Sequence, residues 1–565
     1  MVMLMSVKLS KFYSLLCILI CASLVFSSCG SSKKGEKTLR IATRSLSGNF
    51  NPFYATQDGD KAVNGQVFRT IQRVGKNNKL INSVGSISYE FEGEKKVKYT
   101  VTIKNGLRFS DGTPVTIDDV IFFYYFCADA SYDGVYSDFY LNDIEGIKAY
   151  YYDDKDWSSA LSAFDEKADR EKHIKNYIKK NYEDGADVTE IKGIRRIDDC
   201  TCTVTYNSRN INAVSQLNAV IVSKAFYTVN YVKGSASAVK NFTTLSMGCG
   251  PYYVSNYNPD TKKAELKFNS GSGYSAPSFS KLEFLDIITP ERDGAQCVLK
   301  GMADVSEALA STASVNKLNG SDCKYFLTDD KSYVSLFINT RSIKNDSIRK
   351  QIMKVCAGYD YLDKTYGSHY TKVYMPLSVR FEEYPNVNSP YYSGDTITAL
   401  LTKEVEKINF YCTGAEGSDE RALADEMAAR LNNIGIKTSV VSSDEAGLAK
   451  AAASGKADLW IARISDGGTC DKYDYWHSGA DKNLTGLSDG SIDILTERIR
   501  GAVGNSDKKG LMIGLLNAVM EKAVEMPVYQ NQIITVYDSS VISPESIESL
   551  SEYDGFTYAI PLLYG

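Results

Sequence analysis

Strands and helices alternate between residues 407 and 464, and this alternation constrains the fold more than any other feature of the chain. Residues 407–412 (KINFYC) predict a strand, and Ser418 is a candidate N-cap for the helix that follows. The apolar residues of that helix recur every three to four positions, so that one face can pack on a sheet. Alternation of this kind is typical of an α/β sheet covered by helices. It continues with a strand over 438–442, a helix over 446–454 and a strand over 457–464.

The rest of the chain has a different pattern, in which strands predominate. Residues 38–43 and 96–104 alternate between apolar and polar side chains, as half-buried strands do. A helix is predicted over 120–128, with Thr116 as its N-cap and acidic residues in its first turn. The length of 565 residues exceeds that of one ordinary domain. We therefore expect a mixed α/β and α+β protein with two or three lobes.

The composition excludes several classes of function. The net charge is −5, and no cluster of Lys and Arg is dense enough to neutralise a nucleic acid backbone. The three histidines, His173, His369 and His477, stand in no HExxH, GxSxG or other catalytic motif. We therefore expect no nucleic acid partner, no cofactor, no metal site and no enzymatic activity.

The N-terminus has the pattern of an export signal. Two lysines precede an apolar run over residues 12–26, about 15 residues, which is shorter than the roughly 20 residues of a membrane-spanning helix. The run ends in SSCG (27–30), which resembles the lipobox of bacterial lipoproteins. This resemblance implies that residues 1–28 are a signal peptide and that Cys29 is acylated. An ordinary signal peptide cut near Ser28 is the alternative.

An acylated Cys29 would attach the folded part of the protein to a membrane, because each buried methylene group contributes about 0.8 kcal/mol. Residues 29–37 are mostly small and polar, and we expect them to act as a flexible tether. The predicted location is therefore the outer face of the cytoplasmic membrane, on the cell surface or in a periplasm.

Nine cysteines follow Cys29, and an odd number in an exported protein implies at least one free thiol. No CxxC pair is present. We interpret these cysteines as small buried residues rather than as metal ligands or redox groups. They are Cys127, Cys200, Cys202, Cys249, Cys297, Cys323, Cys356, Cys412 and Cys470.

Several short segments, in this order along the chain, resemble those of one family. The most specific is LRFSDGTPVTIDDV at 107–120, and MGCGPYYV at 247–254 follows a similar glycine-rich pattern. The family is that of the bacterial solute-binding proteins of ABC transporters, which includes the oligopeptide- and dipeptide-binding proteins. The resemblance extends over about residues 38–560. Further matching segments are 301–305 (GMADV), 339–353, 434–436 (IGI) and 523–529 (AVEMPVY).

The resemblance implies a two-lobed clamp like that of the periplasmic binding proteins (type II, cluster C-like), with an inserted subdomain. A ligand held between the lobes contacts both only when they close, so binding favours closure. The permease subunits of an ABC transporter would be the protein partner, and we expect a monomer. The implied division is 38–75, 195–290 and 525–565 for the first lobe, 76–194 for the inserted subdomain and 291–524 for the second lobe.

The resemblance also implies a ligand site after the strand at 457–464. The family's peptide binders carry an Asp there that pairs with the ammonium group of the ligand. Asp466 occupies this position, next to Gly467, and Asp471 is the alternative. A turn Asp that accepts local backbone hydrogen bonds is an equally common role. Tyr473 and Trp476 follow as candidates for stacking on the ligand, with ordinary packing as the other interpretation.

Two departures from the family pattern affect the expected ligand. Ile464 and Ser465 stand where peptide binders often carry an aromatic residue before the Asp. Residues 413–417 (TGAEG) lack the Arg with which dipeptide-specific members hold the ligand carboxylate. We therefore expect oligopeptides, read mainly through their backbone, rather than dipeptides. The 39 tyrosines also suit stacking on sugars, so a clamp for oligosaccharides is one alternative, and a peptide-sensing lipoprotein is another.

Overall fold

The computed structural model of the chain describes residues 37–162, 176, 180, 185–392, 399–548 and 556–565. The predicted signal peptide and Cys29 lie outside these residues. Within them, no helix is both long enough and apolar enough to span a membrane.

The strands of the described residues form one large sheet and two small ones. In chain order they are β1 (Thr38–Thr43), β2 (Gln72–Val74), β3 (Leu80–Asn82), β4 (Gly85–Glu92), β5 (Lys96–Ile103), β6 (Ile194–Arg196), β7 (Thr201–Tyr206), β8 (Tyr252–Asn258), β9 (Lys263–Phe268), β10 (Lys281–Asp286), β11 (Val305–Leu309), β12 (Cys323–Ile338), β13 (Tyr370–Lys372), β14 (Lys407–Cys412), β15 (Lys437–Ser442), β16 (Leu459–Ser465) and β17 (Glu525–Asp538).

The large sheet has eleven strands in the order β15-β14-β16-β12-β17-β11-β1-β10-β9-β8, with β13 also paired to β17. Its two central strands, β12 and β17, are long and antiparallel, and their register shifts between Asp329 and Tyr333. On one side of this shift, β17 also pairs with β11. On the other side, β12 also pairs with β16. These two strands therefore connect the two halves of the sheet.

The predicted alternation of strands and helices is confirmed. β14 is parallel to both β15 and β16. The helix between β14 and β15 starts after Ser418, whose hydroxyl accepts a hydrogen bond from the backbone N–H of Arg421 at 3.3 Å. Its apolar face is buried, as the spacing requires.

The helices are α1 (Asp58–Val67), α2 (Ile117–Cys127), α3 (Ile147–Tyr152), α4 (Trp157–Ser162), α5 (Ala213–Gln216), α6 (Lys224–Tyr227), α7 (Ser237–Lys240), α8 (Gly294–Leu299), α9 (Thr312–Leu318), α10 (Asp346–Cys356), α11 (Asp360–Tyr366), α12 (Ala399–Glu404), α13 (Asp419–Asn433), α14 (Glu445–Ala453), α15 (Tyr473–Trp476), α16 (Gly490–Arg500), α17 (Lys508–Lys522), α18 (Pro544–Glu548) and α19 (Phe556–Ala559).

The small four-stranded sheet, β4-β5-β7-β6, packs against α2. The predicted N-cap of this helix, Thr116, is confirmed, because its backbone N–H donates to the carboxylate of Asp119 at 2.8 Å. The helix begins at Ile117, three residues before the predicted range. The alternating side chains of β5 bury Val97, Tyr99 and Val101. The sequence segment most specific to the family resemblance, 107–120, therefore leads from this sheet into α2.

Two large hydrophobic cores lie on either side of the central strands. The first contains Leu39 and Ile41 of β1 together with most buried residues of the first half of the chain. The second contains Leu423 of α13 and Leu515 of α17. We call the parts packed around these cores the N-terminal lobe and the C-terminal lobe. The mixed α/β fold expected from the sequence is thus confirmed.

The exact lobe boundaries stay a prediction. β11 falls in the range 291–524 that the resemblance implies for the second lobe, and its Val305 packs in the core of the N-terminal lobe beside Ile41. The two residues are neighbours because β1 and β11 are adjacent and parallel. The chain therefore reaches the C-terminal lobe along β12.

All nine cysteines that follow Cys29 are free, which agrees with the expected free thiol. Seven of them are buried, and Cys200 and Cys323 are partly buried. Burial raises the pKa of the thiols of Cys202 and Cys470 to about 12, so these groups stay protonated at neutral pH. No group of metal-binding side chains is found among the described residues.

Candidate ligand-binding site

The predicted ligand-binding segment, residues 466–477, begins where β16 ends. Because β14 and β16 are parallel, their last residues, Cys412 and Ser465, lie at the same edge of the sheet. Ligand sites of open α/β sheets lie at the carboxyl ends of the strands. Tyr333 pairs with Ile464, so the register shift of β12 is next to this edge. The segment therefore lies close to the connection between the two lobes.

Asp466 is buried and paired inside the C-terminal lobe. One carboxylate oxygen accepts a hydrogen bond from the backbone N–H of Ser378 at 2.7 Å. The other forms an ion pair with the ammonium group of Lys472. The side chains of Asp466 and Lys472 are each 1% exposed. Neither oxygen of Asp466 is therefore open to solvent as the structure stands.

The ammonium group of Lys472 is surrounded by aromatic side chains. It donates a hydrogen bond to the hydroxyl of Tyr333 at 3.0 Å. It also lies 5.0 Å from the ring centroid of Tyr333, 5.5 Å from that of Tyr475 and 5.6 Å from that of Trp476. Such distances allow cation–π attraction. We call Asp466, Tyr333, Tyr475 and Trp476 the ammonium cage.

A second carboxylate, that of Glu525, lies behind the ammonium cage. Its oxygens accept hydrogen bonds from Ser335 at 2.9 Å, from Tyr333 at 3.0 Å and from the indole N–H of Trp476 at 3.1 Å. Burial raises the pKa of Glu525 from its ordinary 4.5 to about 7. Lys472 opposes this shift, and Asp466 reinforces it. One lysine thus balances two buried carboxylates.

Trp476 is a packed residue in this structure. It is 1% exposed and belongs to the core of the C-terminal lobe. Gly467 has a φ of 60°, a left-handed conformation that glycine adopts without strain, and it turns the chain directly after Asp466. The role of both residues in ligand binding stays a prediction.

Asp471 lies in a second polar cluster, which joins the two lobes. Its carboxylate accepts a hydrogen bond from the side-chain amide of Asn212 at 2.6 Å and pairs with Arg500 at 2.7 Å. Asn212 immediately precedes α5, whose Ala213 is in the core of the N-terminal lobe. The hydroxyl of Thr469 donates to Asn212 as well. We call Asn212, Thr469, Asp471 and Arg500 the interlobe cluster.

A backbone contact and a stacked pair extend the interlobe cluster. The backbone N–H of Ile211 donates to the carbonyl oxygen of Arg500 at 2.8 Å. The guanidinium group of Arg500 lies 4.0 Å from the ring centroid of Tyr473, and His477 stacks on the same ring at 4.0 Å. Tyr473 thus already contacts a cation and an aromatic ring of its own lobe.

The sequence interpretation did not identify Lys472, Tyr333, Glu525 or Asn212. Lys472 carries a weak signal, because it is a lone cation between Asp471 and Asp474. The other three carry none, since their partners are distant along the chain: 139 residues separate Lys472 from Tyr333, and 259 separate Asn212 from Asp471. Only the folded sheet brings them together.

The chain matches a family model over residues 89–485, that of the bacterial extracellular solute-binding proteins, family 5 middle region. This match covers more than half of the sequence and contains the whole ammonium cage and, apart from Arg500, the interlobe cluster. The chain belongs to this family. No curated protein matches the sequence significantly.

Solved structures with a similar fold include substrate-binding proteins of three bacteria. The ABC transporter substrate-binding protein CtaP of Listeria monocytogenes is 16% identical, with a TM-score of 0.70, over 94% of this chain and 99% of that one. A putative peptide-binding protein AppA of Clostridium difficile is 14% identical, with a TM-score of 0.71, over 94% and 100%. The oligopeptide-binding protein AppA of Bacillus subtilis is 14% identical, with a TM-score of 0.65, over 93% and 98%. At these identities the likeness establishes the fold.

Proposed function

We propose that this protein captures oligopeptides between its two lobes, outside the cytoplasm, and delivers them to the permease of an ABC importer. In this proposal Cys29 is acylated and holds the protein at the outer face of the membrane. The short distance to the permease then raises the effective concentration of the loaded protein there. The protein acts as a binding protein and carries out no reaction on its ligand.

The observation that carries the proposal is the pair of separate cores connected by β12 and β17. Two packed bodies connected by two strands can rotate about the connection with little change inside each body. The interlobe cluster supports this proposal, because Asp471 and Asn212 belong to different lobes and are in contact, and we expect this contact to require closure. A ligand that binds between the lobes shifts the population toward the closed form.

Peptides are the proposed ligands because solved structures with the same fold contain bound peptides. The Bacillus subtilis AppA structure contains a nonapeptide, and that of Haemophilus influenzae OppA, 16% identical, contains RPPGFSPFR. The segment 466–477, with Asp466, Gly467, Asp471, Tyr473 and Trp476, borders the proposed cleft. It contributes three acidic and several aromatic side chains to this edge of the sheet.

The proposal is tested by the ligand that accompanies the purified protein. Mass spectrometry of the native protein is expected to release a mixture of peptides. Thermal shift with a random peptide pool should then raise the Tm in a saturable manner, whereas cello- and xylo-oligosaccharides should leave it unchanged. Stabilisation by the sugars and not by the peptides would replace the proposed ligand with an oligosaccharide.

Membrane attachment is tested separately. The Cys29→Ser variant is expected to leave the membrane fraction for the soluble exported fraction, while peptide binding by its folded part stays unchanged. Retention of Cys29→Ser in the membrane fraction would argue against lipidation at this residue.

A further inference from the structure

The ammonium cage is a complete recognition site for a primary ammonium group, and its occupant comes from the chain itself. A carboxylate, a phenolic oxygen and three aromatic rings surround the ammonium group of Lys472. Carboxylates and aromatic faces are the groups that proteins use to bind ammonium ligands. Lys472 is only 1% exposed, so its ammonium group occupies the cage and is closed off from solvent.

Both oxygens of the Asp466 carboxylate have partners, and the side chain is 1% exposed, so a ligand amine cannot reach it from solvent while Lys472 is in place. One oxygen accepts the N–H of Ser378, and the other is paired with Lys472. A ligand amine would have to displace Lys472 and leave its ammonium group without a partner in a buried site. Displacement of this kind is costly, because an unpaired buried charge loses its solvation without compensation.

We infer that Lys472 determines the specificity of this site by occupying the ammonium cage, so that the ligand is bound without presenting a free amino group to Asp466. The inference rests on the proposed function and makes it more specific. The ligand class is that of peptides held through their backbone and side chains. Peptides with a free or a blocked amino terminus are equivalent at this position.

Lys472, rather than the loop as a whole, occupies the cage. Lys472 is the residue before α15, and the rings of Tyr475 and Trp476 come from that helix. The third ring, Tyr333, is in β12, and Asp466 follows β16. The cage is therefore assembled from three elements, and removal of the lysine side chain beyond its Cβ would leave these walls in place with a space the size of a propylammonium ion.

The first experiment measures the affinity of the wild-type protein for one peptide with a free amino terminus and for its N-acetylated form, by isothermal titration calorimetry at one ionic strength. The two affinities are expected to agree within about twofold, because no charge-assisted hydrogen bond distinguishes them. A preference of about tenfold or more for the free amine, the effect of one such bond, would overturn the inference.

The Lys472→Ala variant supplies the matched comparison. With the cage open, the free-amine peptide is expected to bind about tenfold more tightly than the acetylated one. Equal affinities in Lys472→Ala would also overturn the inference. If neither peptide binds the wild-type protein, the proposed ligand is wrong, and the following experiment alone decides whether the cage binds ammonium.

The second experiment needs no peptide. The Tm of Lys472→Ala is measured with increasing n-propylammonium chloride and, as a control, with sodium chloride at equal ionic strength. A saturable rise with propylammonium is expected in Lys472→Ala, with no such rise in the wild-type protein or in Lys472→Ala combined with Asp466→Asn. The same response in all three proteins, or none in Lys472→Ala, would overturn the inference. Should Lys472→Ala not fold alone, its refolding yield with propylammonium takes the place of the Tm.

Discussion

Asp466 and Asp471 lie five residues apart in one segment, but their partners come from different parts of the molecule. Asp466 pairs with Lys472 inside the C-terminal lobe, and its side chain is 1% exposed. The side chain of Asp471 is almost as buried, at 4%, but one of its partners, Asn212, belongs to the N-terminal lobe. Burial alone therefore does not distinguish the two residues, whereas the origin of their partners does.

Whether the two members of a pair belong to one lobe or to two determines if its loss affects the stability of a lobe or the equilibrium between open and closed forms. A pair whose members belong to one lobe persists whether the lobes are open or closed, so its loss lowers the free energy of unfolding of that lobe. A pair whose members belong to different lobes forms only on closure, so its loss shifts the equilibrium between open and closed forms. The ammonium cage is of the first kind, and we expect the interlobe cluster to be of the second.

The largest expected effect is that of Lys472→Met, which leaves Asp466 buried without its partner. We expect the free energy of unfolding of the C-terminal lobe to fall by about 3–5 kcal/mol, measured by urea denaturation. The matched control is Lys350→Met, because Lys350 pairs with Glu521 at the surface, where loss of the pair costs about 1 kcal/mol or less. Adding Asp466→Asn to Lys472→Met should recover much of the loss. Equal effects of the two Met variants would contradict a buried pair.

The next effect concerns Glu525 and pH. Its folded-state pKa of about 7 exceeds the ordinary 4.5, so the folded protein holds this proton more tightly than the unfolded chain. The stabilisation is therefore fully present below pH 4.5 and is lost as the pH rises through 7. The charged and titratable groups around Glu525 include Lys472, Asp466, Tyr333, Tyr475 and Tyr392.

Glu525→Gln tests this expectation, because glutamine keeps the shape and does not titrate. Between pH 5 and pH 8, the wild-type protein should lose about 3 kcal/mol or less of unfolding free energy that Glu525→Gln retains. Urea denaturation at four pH values in this interval gives the difference between the two proteins. Parallel curves of unfolding free energy against pH for the two proteins would mean that Glu525 keeps its ordinary pKa in the folded protein despite its burial.

The sequence predicted the local parts of this structure and not the long-range ones. Ser418 and the strand 407–412 were identified correctly, because capping and hydrophobic periodicity depend on neighbouring residues. The pairing of β12 with β17 joins strands that are distant along the chain, and the side-chain hydrogen bond from Tyr333 to Glu525 joins residues 192 positions apart, so no local pattern reports either contact. The segment 466–477 was located through the family resemblance. Lys472 went unnoticed because its role depends on which side chains face it.

A smaller effect is expected from Asp471→Asn, which weakens the interlobe cluster. Both Asp471 and Asp474 pair with Arg500, at 2.7 Å and 2.8 Å, so Asp474→Asn is a control with the same change of charge. Only Asp471 also accepts a hydrogen bond from Asn212. We expect Asp471→Asn to weaken peptide binding about fivefold, the effect of about 1 kcal/mol, and Asp474→Asn to change it less than twofold.

Small-angle X-ray scattering distinguishes this effect from damage to the C-terminal lobe. The ligand-free Asp471→Asn protein should have a larger radius of gyration than the Asp474→Asn protein, because fewer contacts favour closure. Equal radii together with equal affinities would mean that the contact between Asp471 and Asn212 does not stabilise the closed form.

The smallest effects come from two adjacent glycines, which lie between the ammonium cage and the interlobe cluster. Gly467 has a φ of 60°, and an added Cβ would meet no atom within 4 Å. Gly467→Ala should therefore cost about 1 kcal/mol of unfolding free energy through backbone strain alone.

At Gly468 an added Cβ would come within 2.8 Å of the hydroxyl of Ser215 in the N-terminal lobe. Gly468→Ala should leave urea denaturation of the C-terminal lobe unchanged and weaken peptide binding about twofold, since the clash exists only while the lobes touch. If instead Gly467→Ala weakened peptide binding and Gly468→Ala lowered the unfolding free energy, then Gly467, and not Gly468, would contribute to closure of the lobes.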